Sequence, residues 1–98
     1  TDMTAKRKTN QQRYFELKDT LISLGQILWE GEVNVYVYDN GKRLQVSAGG
    51  YVKYECPTCD TPAKLLEEMQ KAVDEVVKAL RARRDEIDEA LSPYDNGA

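Results

Sequence analysis

At 98 residues the chain is sized for one domain, able to bury roughly two-thirds of its unfolded surface without help from disulfides. It is 41% apolar and 32% charged, with a net charge of −3. No apolar run approaches the ~20 residues of a membrane span, and no secretory or lipidation pattern is present. A cytoplasmic setting is the expectation, and two cysteines in such a chain point to thiols or ligands before a structural disulfide. There is no histidine. That removes the commonest general base, the usual partner of a serine or cysteine nucleophile, and the commonest metal ligand. A non-enzyme is therefore expected.

Residues 1–9 have no apolar period and carry Lys6, Arg7 and Lys8, so they read as a flexible basic arm. From Asn10 the pattern is helical. Tyr14, Leu17, Leu21, Leu24 and Leu28, with Ile22 alongside, make one apolar stripe. Gly25 interrupts it, and Gly31 in "WEGE" is the expected left-handed cap.

Residues 33–48 alternate strictly, and Asn40-Gly41 is the preferred pair for a two-residue type I′ turn. That turn sets Val33 opposite Ala48, Val35 opposite Val46 and Val37 opposite Leu44, with every apolar pair on one face. "AGG" (Ala48–Gly50) turns the chain again. A two-residue glycine loop would push Lys53 and Glu55 onto the core face. A three-residue loop with a glycine bulge would place Val52 opposite Val46 and Tyr54 opposite Leu44, and is preferred here. The third strand then spans about Tyr51–Glu55.

Thr61-Pro62 reads as a helix cap followed by proline at the first helical position. Leu66, Met69, Val73, Val76, Leu80, Arg83, Ile87 and Ala90 follow at heptad spacing, an apolar stripe broken only by Arg83, and the helix is expected to stop at about Leu91, before Ser92-Pro93. At roughly 45 Å it outruns a first helix of about 28 Å. Residues 92–98 read as a flexible tail. The expected fold is α+β, in the order α-β-β-β-α. A three-stranded antiparallel meander carries both helices on one face of a single domain over residues 10–91.

Four features could carry function. The first is Cys56-Pro-Thr-Cys59, which has zinc-knuckle spacing after a strand. Four ligands are needed and two are present, so a zinc site would have to be completed across a dimer. A plain turn with free thiols and a disulfide or redox pair are the other readings. The second is the open sheet face, expected to carry Tyr36, Tyr38, Arg43, Gln45, Tyr51 and Lys53. Aromatics mixed with bases suit a protein-binding hot spot or single-stranded nucleic acid, and the net negative charge favours the protein. Tyrosine is also an ordinary strand residue. The third is the overlong helix, whose Ile87, Ala90 and Leu91 could join two copies. The fourth is the acidic set of Glu30, Glu32, Asp39 and the acids of the last helix, Glu67, Glu68, Asp74 and Glu75 among them, which could imitate spaced phosphates or simply be solvated.

The order helix, "LWEGEV", hairpin, third strand, acidic helix resembles a small phage-encoded anti-CRISPR family whose members act as DNA mimics on type I-F surveillance complexes. Trp29, Glu30, Gly31 and Glu32, the turn residues Asp39, Asn40 and Gly41, and the acids Glu67, Glu68, Asp74 and Glu75 carry it. The similarity covers residues 15–90 in layout, and only the tetrapeptide and the turn residue by residue. The family's last helix is more acidic, and the cysteine knuckle is not one of its features. The resemblance implies a non-enzymatic inhibitor, active in a host cytoplasm, that blocks a nucleic-acid groove. A self-associating assembly protein and a single-stranded nucleic-acid binder are the alternatives.

Overall fold

The computed structural model describes residues 9–96. The basic residues of the expected N-terminal arm, Lys6, Arg7 and Lys8, lie outside that range, as do residues 97–98. Helix α1 spans Asn10–Trp29, strand β1 Val33–Tyr38, β2 Arg43–Ala48 and β3 Tyr51–Cys56, and helix α2 spans Pro62–Asn96. The strands form an antiparallel sheet in the order β1-β2-β3. The expected α+β meander is therefore the observed fold, and among the described residues no helix is long and apolar enough to cross a membrane.

Helix α1 starts on a reciprocal cap. The Gln12 amide donates to the Thr9 hydroxyl at 3.1 Å, and the Thr9 amide donates to Gln12 Oε1 at 2.8 Å, which satisfies two donors that the first turn leaves free. Thr61 caps α2 as expected, accepting from the Lys64 amide at 3.0 Å, with Pro62 in the first helical position. The core joins Leu21 of α1, Val33, Leu44, Val46 and Ala48 of the hairpin, and Leu65, Met69, Ala72, Val73 and Val76 of α2. Each large aliphatic side chain so buried contributes about 1.5–3 kcal/mol.

The β1–β2 register is the expected one, from Val33 opposite Ala48 to Tyr38 opposite Arg43. The turn between them is wider than two residues. Asp39, Asn40 and Gly41 all have positive φ, and the Lys42 amide donates both to Asp39 O and to Tyr38 O.

Three further expectations need correction. Gly31 is not the left-handed cap of α1; Glu30 takes that conformation (φ 54, ψ 46). The Trp29 ring lies against Gly25, close enough that a Cβ there would meet it at 2.8 Å. Trp29 is the last helical residue, and the reversal falls on the next one.

The β2–β3 connection combines features of both loops considered. It is the two-residue Gly49-Gly50 loop, both glycines at positive φ, with Ala48 opposite Tyr51 and Ser47 opposite Val52. A bulge at Lys53 then restores the pattern, putting Tyr54 opposite Val46 and Cys56 opposite Leu44. One unpaired residue thus keeps both Lys53 and Glu55 off the core face, and Val52 ends up on the open face.

Finally, α2 does not stop at Leu91 but continues through Pro93 to Asn96. The missing proline N–H forfeits the bond to the Glu89 carbonyl, and only three helical residues follow it.

Candidate functional site

Each strand residue that pairs away from the helices contributes to one open face. Tyr36 and Tyr38 of β1, two residues apart, lie side by side. Their rings stack with centroids 5.9 Å apart and an interplanar angle of 23°. Each tyrosine remains 41% exposed. Across the strand the Arg43 guanidinium lies over the Tyr38 ring, 5.8 Å from its centroid. The Tyr38 hydroxyl donates to Gln45 Oε1 at 3.4 Å. Arg43 is 4.0 Å from Asp39 in an exposed pair, too long and too solvated to hold its charge back from a partner.

Four of the six expected residues therefore sit together. Tyr51 and Lys53 do not join them. Tyr51 pairs with Ala48, which places it in register with the helix-side face at the sheet end, 72% exposed. The bulged Lys53 lies over its ring at 5.7 Å. The two form a separate edge pair, and the loop geometry that separates them is set by the two glycines.

The acidic set separates differently. Glu68 is buried, with 8% of its surface exposed. It accepts from the Tyr54 hydroxyl at 2.9 Å and faces Lys71 at 3.1 Å and Lys64 at 3.3 Å. Burial alone would raise its pKa, but the bonds from Lys71, Tyr54 and Lys64 outweigh burial and hold it at about 2. Tyr54 is pushed up, first by burial and then by Glu68. Glu67 bonds Lys64 at 2.9 Å, which lowers the carboxyl and raises the amine. Asp74 accepts from Gln70 at 2.9 Å, and Glu75 is exposed. Glu68 is thus an internal strut between β3 and α2 and is not displayed to a partner. The sequence offered one sign of this: a tyrosine in a core-facing strand position needs an acceptor for its hydroxyl.

The cysteine knuckle is folded inward. Cys59 is 1% exposed and Cys56 9%, both as free thiols. The Cys59 thiol donates to Cys56 Sγ at 3.4 Å, and Cys56 donates to the Thr58 carbonyl at 3.3 Å. The Cys59 amide donates to the Lys42 carbonyl at 2.6 Å, tying the knuckle to the hairpin turn. Burial and the bond to Cys56 push the Cys59 thiol up to about 11. Among the described residues no third cysteine or carboxylate joins the pair. A zinc shared between two copies would need Cys59 to leave the core. The arrangement that is present is a packed corner of the fold.

Ile87, Ala90 and Leu91 are exposed on the last turns of α2, with Tyr94 continuing their line. Tyr94 lies beyond the helix end expected from the sequence, so it was not grouped with them. A second residue missed by sequence reasoning is Arg83, which donates to the Leu28 carbonyl at 2.8 Å and the Ile27 carbonyl at 3.3 Å. It supplies the cationic cap that the end of α1 otherwise lacks. Heptad spacing alone marked Arg83 as a break in the stripe.

On the sheet face the tyrosine rings give a flat apolar area with hydroxyl and guanidinium groups at hand. No protein-family model, no curated protein and no solved structure matches the chain.

Proposed function

We propose that the protein is a small non-enzymatic interaction protein that acts by occupying a surface on a protein partner. The observation that carries this reading is the Tyr36–Tyr38 stack with Arg43 laid over the Tyr38 ring, exposed on a sheet face that no element among the described residues covers. Tyrosine and arginine together at the centre of a flat patch are the residues that most often dominate binding energy. The partner chemistry that fits is an apolar patch bearing a carboxylate, because Arg43 has only a loose, exposed pair at 4.0 Å.

The resemblance to the anti-CRISPR family supplies the target class, a host nucleoprotein defence complex of type I-F. The reading differs from strict DNA mimicry in the surface used. Glu68 is buried and Glu67 is neutralised by Lys64, so these two acids are not free to imitate phosphates. The test is target-DNA binding by a purified type I-F surveillance complex, with and without the protein. Loss of DNA binding is expected. Undiminished DNA binding at saturating protein overturns the inhibitor reading.

A further inference from the structure

The apolar stripe of α2 does not end where its cover ends. Leu66, Met69, Val73 and Val76 are buried. Arg83 already reaches the last carbonyls of α1, and α2 runs on to Asn96, about 20 Å farther. At 100° per residue, Val77, Leu80, Arg84, Ile87, Leu91 and Tyr94 share one face. Ile87, Leu91 and Tyr94 are 51%, 47% and 77% exposed. The root of this face is a groove of about 220 Å³ lined by Leu24, Val77, Leu80, Arg81 and Arg84. A helical segment this short is marginal in water by itself.

Charge along the arm is segregated. Arg81, Arg83 and Arg84 stand at its root, and Asp85, Glu86, Asp88 and Glu89 lie farther out. A second arm laid parallel sets bases on bases and acids on acids, whereas one laid antiparallel sets bases on acids.

We propose that two copies of this chain associate through antiparallel pairing of their α2 arms. One register meets both the apolar pattern and the charge pattern. With Leu80 opposite Leu91 of the second copy, Val77 falls opposite its Tyr94 and Arg84 opposite its Ile87. Each layer occurs twice by symmetry. The groove at the root of one arm then receives Leu91 and Tyr94 from the end of the other. The Arg84 stem packs in its layer while its charged end reaches water at the rim. Arg81 and Asp88 flank the stripe on the same side, and in this register they face each other across the copies, twice. Pairing of this kind is independent of the sheet face, which points away from the helices.

Sedimentation velocity of the full chain over a wide concentration range tests the proposal. A dimer is expected. Ile87→Asp/Leu91→Asp yields a monomer whose unfolding midpoint matches the parent monomer, because neither residue lies in the core. Arg81→Glu and Asp88→Arg each weaken the dimer about tenfold, and the two combined restore it. A parent chain that stays monomeric at submillimolar concentration overturns the proposal. So does a dimer indifferent to Ile87→Asp/Leu91→Asp. A combined charge exchange that fails to restore affinity overturns the antiparallel register.

Discussion

Replacing Glu68 with glutamine keeps the shape of the strut between β3 and α2 and removes its charge. The carboxyl is held at about 2, against an ordinary value of 4.5. Taken at face value, that difference corresponds to about 3 kcal/mol. Lys64 and Lys71 are 40% and 55% exposed, so solvent screening leaves about 1–2 kcal/mol. The sign follows from the lowered pKa. Stability from this carboxylate is present in full above the unfolded value and is lost as pH falls from about 4.5 toward 2. Glu68→Gln is therefore less stable than the parent near pH 7, and the gap narrows below pH 4.5. Urea unfolding of both proteins at a series of pH values reads this directly, because the titration of the other carboxylates is common to both and cancels in the difference. A gap of the same size at pH 7 and pH 3 would refute the reasoning and assign the loss to packing alone.

Three further outcomes follow from individual contacts. Gly25→Ala gains helix propensity, but its Cβ would stand 2.8 Å from the Trp29 ring and 3.0 Å from Val33 Cγ2; a net loss of about 1–3 kcal/mol is expected in urea unfolding. Arg83→Met keeps the stem and removes the donors to Ile27 and Leu28, which costs about 1–2 kcal/mol and speeds hydrogen exchange in the last turn of α1. Cys59, buried and pushed up to about 11, reacts with iodoacetamide at pH 8 only as fast as the protein opens; rapid labelling of both thiols in the native protein would contradict the packed corner.

The hairpin was legible in the sequence because two signals of different origin agreed. Asn40-Gly41 placed the turn and valine alternation fixed the face, so the register had a single solution, although the turn itself is wider than the two residues expected. The third strand was legible in place but not in register, because its signals conflicted. The paired glycines favoured a two-residue loop, the alternation after them disfavoured it, and the chain resolves the conflict with a bulge at Lys53 that no residue type announces. The end of α2 was misplaced for a related reason. Ser92-Pro93 signalled a stop, yet the helix carries the proline within its final turns and ends only at Asn96. The site was legible in part. Tyr36, Tyr38, Arg43 and Gln45 followed from strand alternation, whereas the split of Tyr51 and Lys53 from them followed from the loop. The burial of Glu68 was hidden because it depends on a tertiary partner, Tyr54, whose inward direction is set by the bulge.

The central claim is that the sheet face is the surface that binds. The most direct measurement is inhibition of target-DNA binding by the type I-F complex, titrated with two variants of the protein. Tyr36→Ala/Tyr38→Ala/Arg43→Ala empties the sheet face of its rings and its charge. Asp74→Asn/Glu75→Gln neutralises the two acids near the start of α2 that carry the resemblance and are not tied to lysine. The account predicts that the first variant loses inhibition and the second retains it. Retained inhibition by the first variant with loss in the second would contradict the account and return the activity to phosphate mimicry by α2.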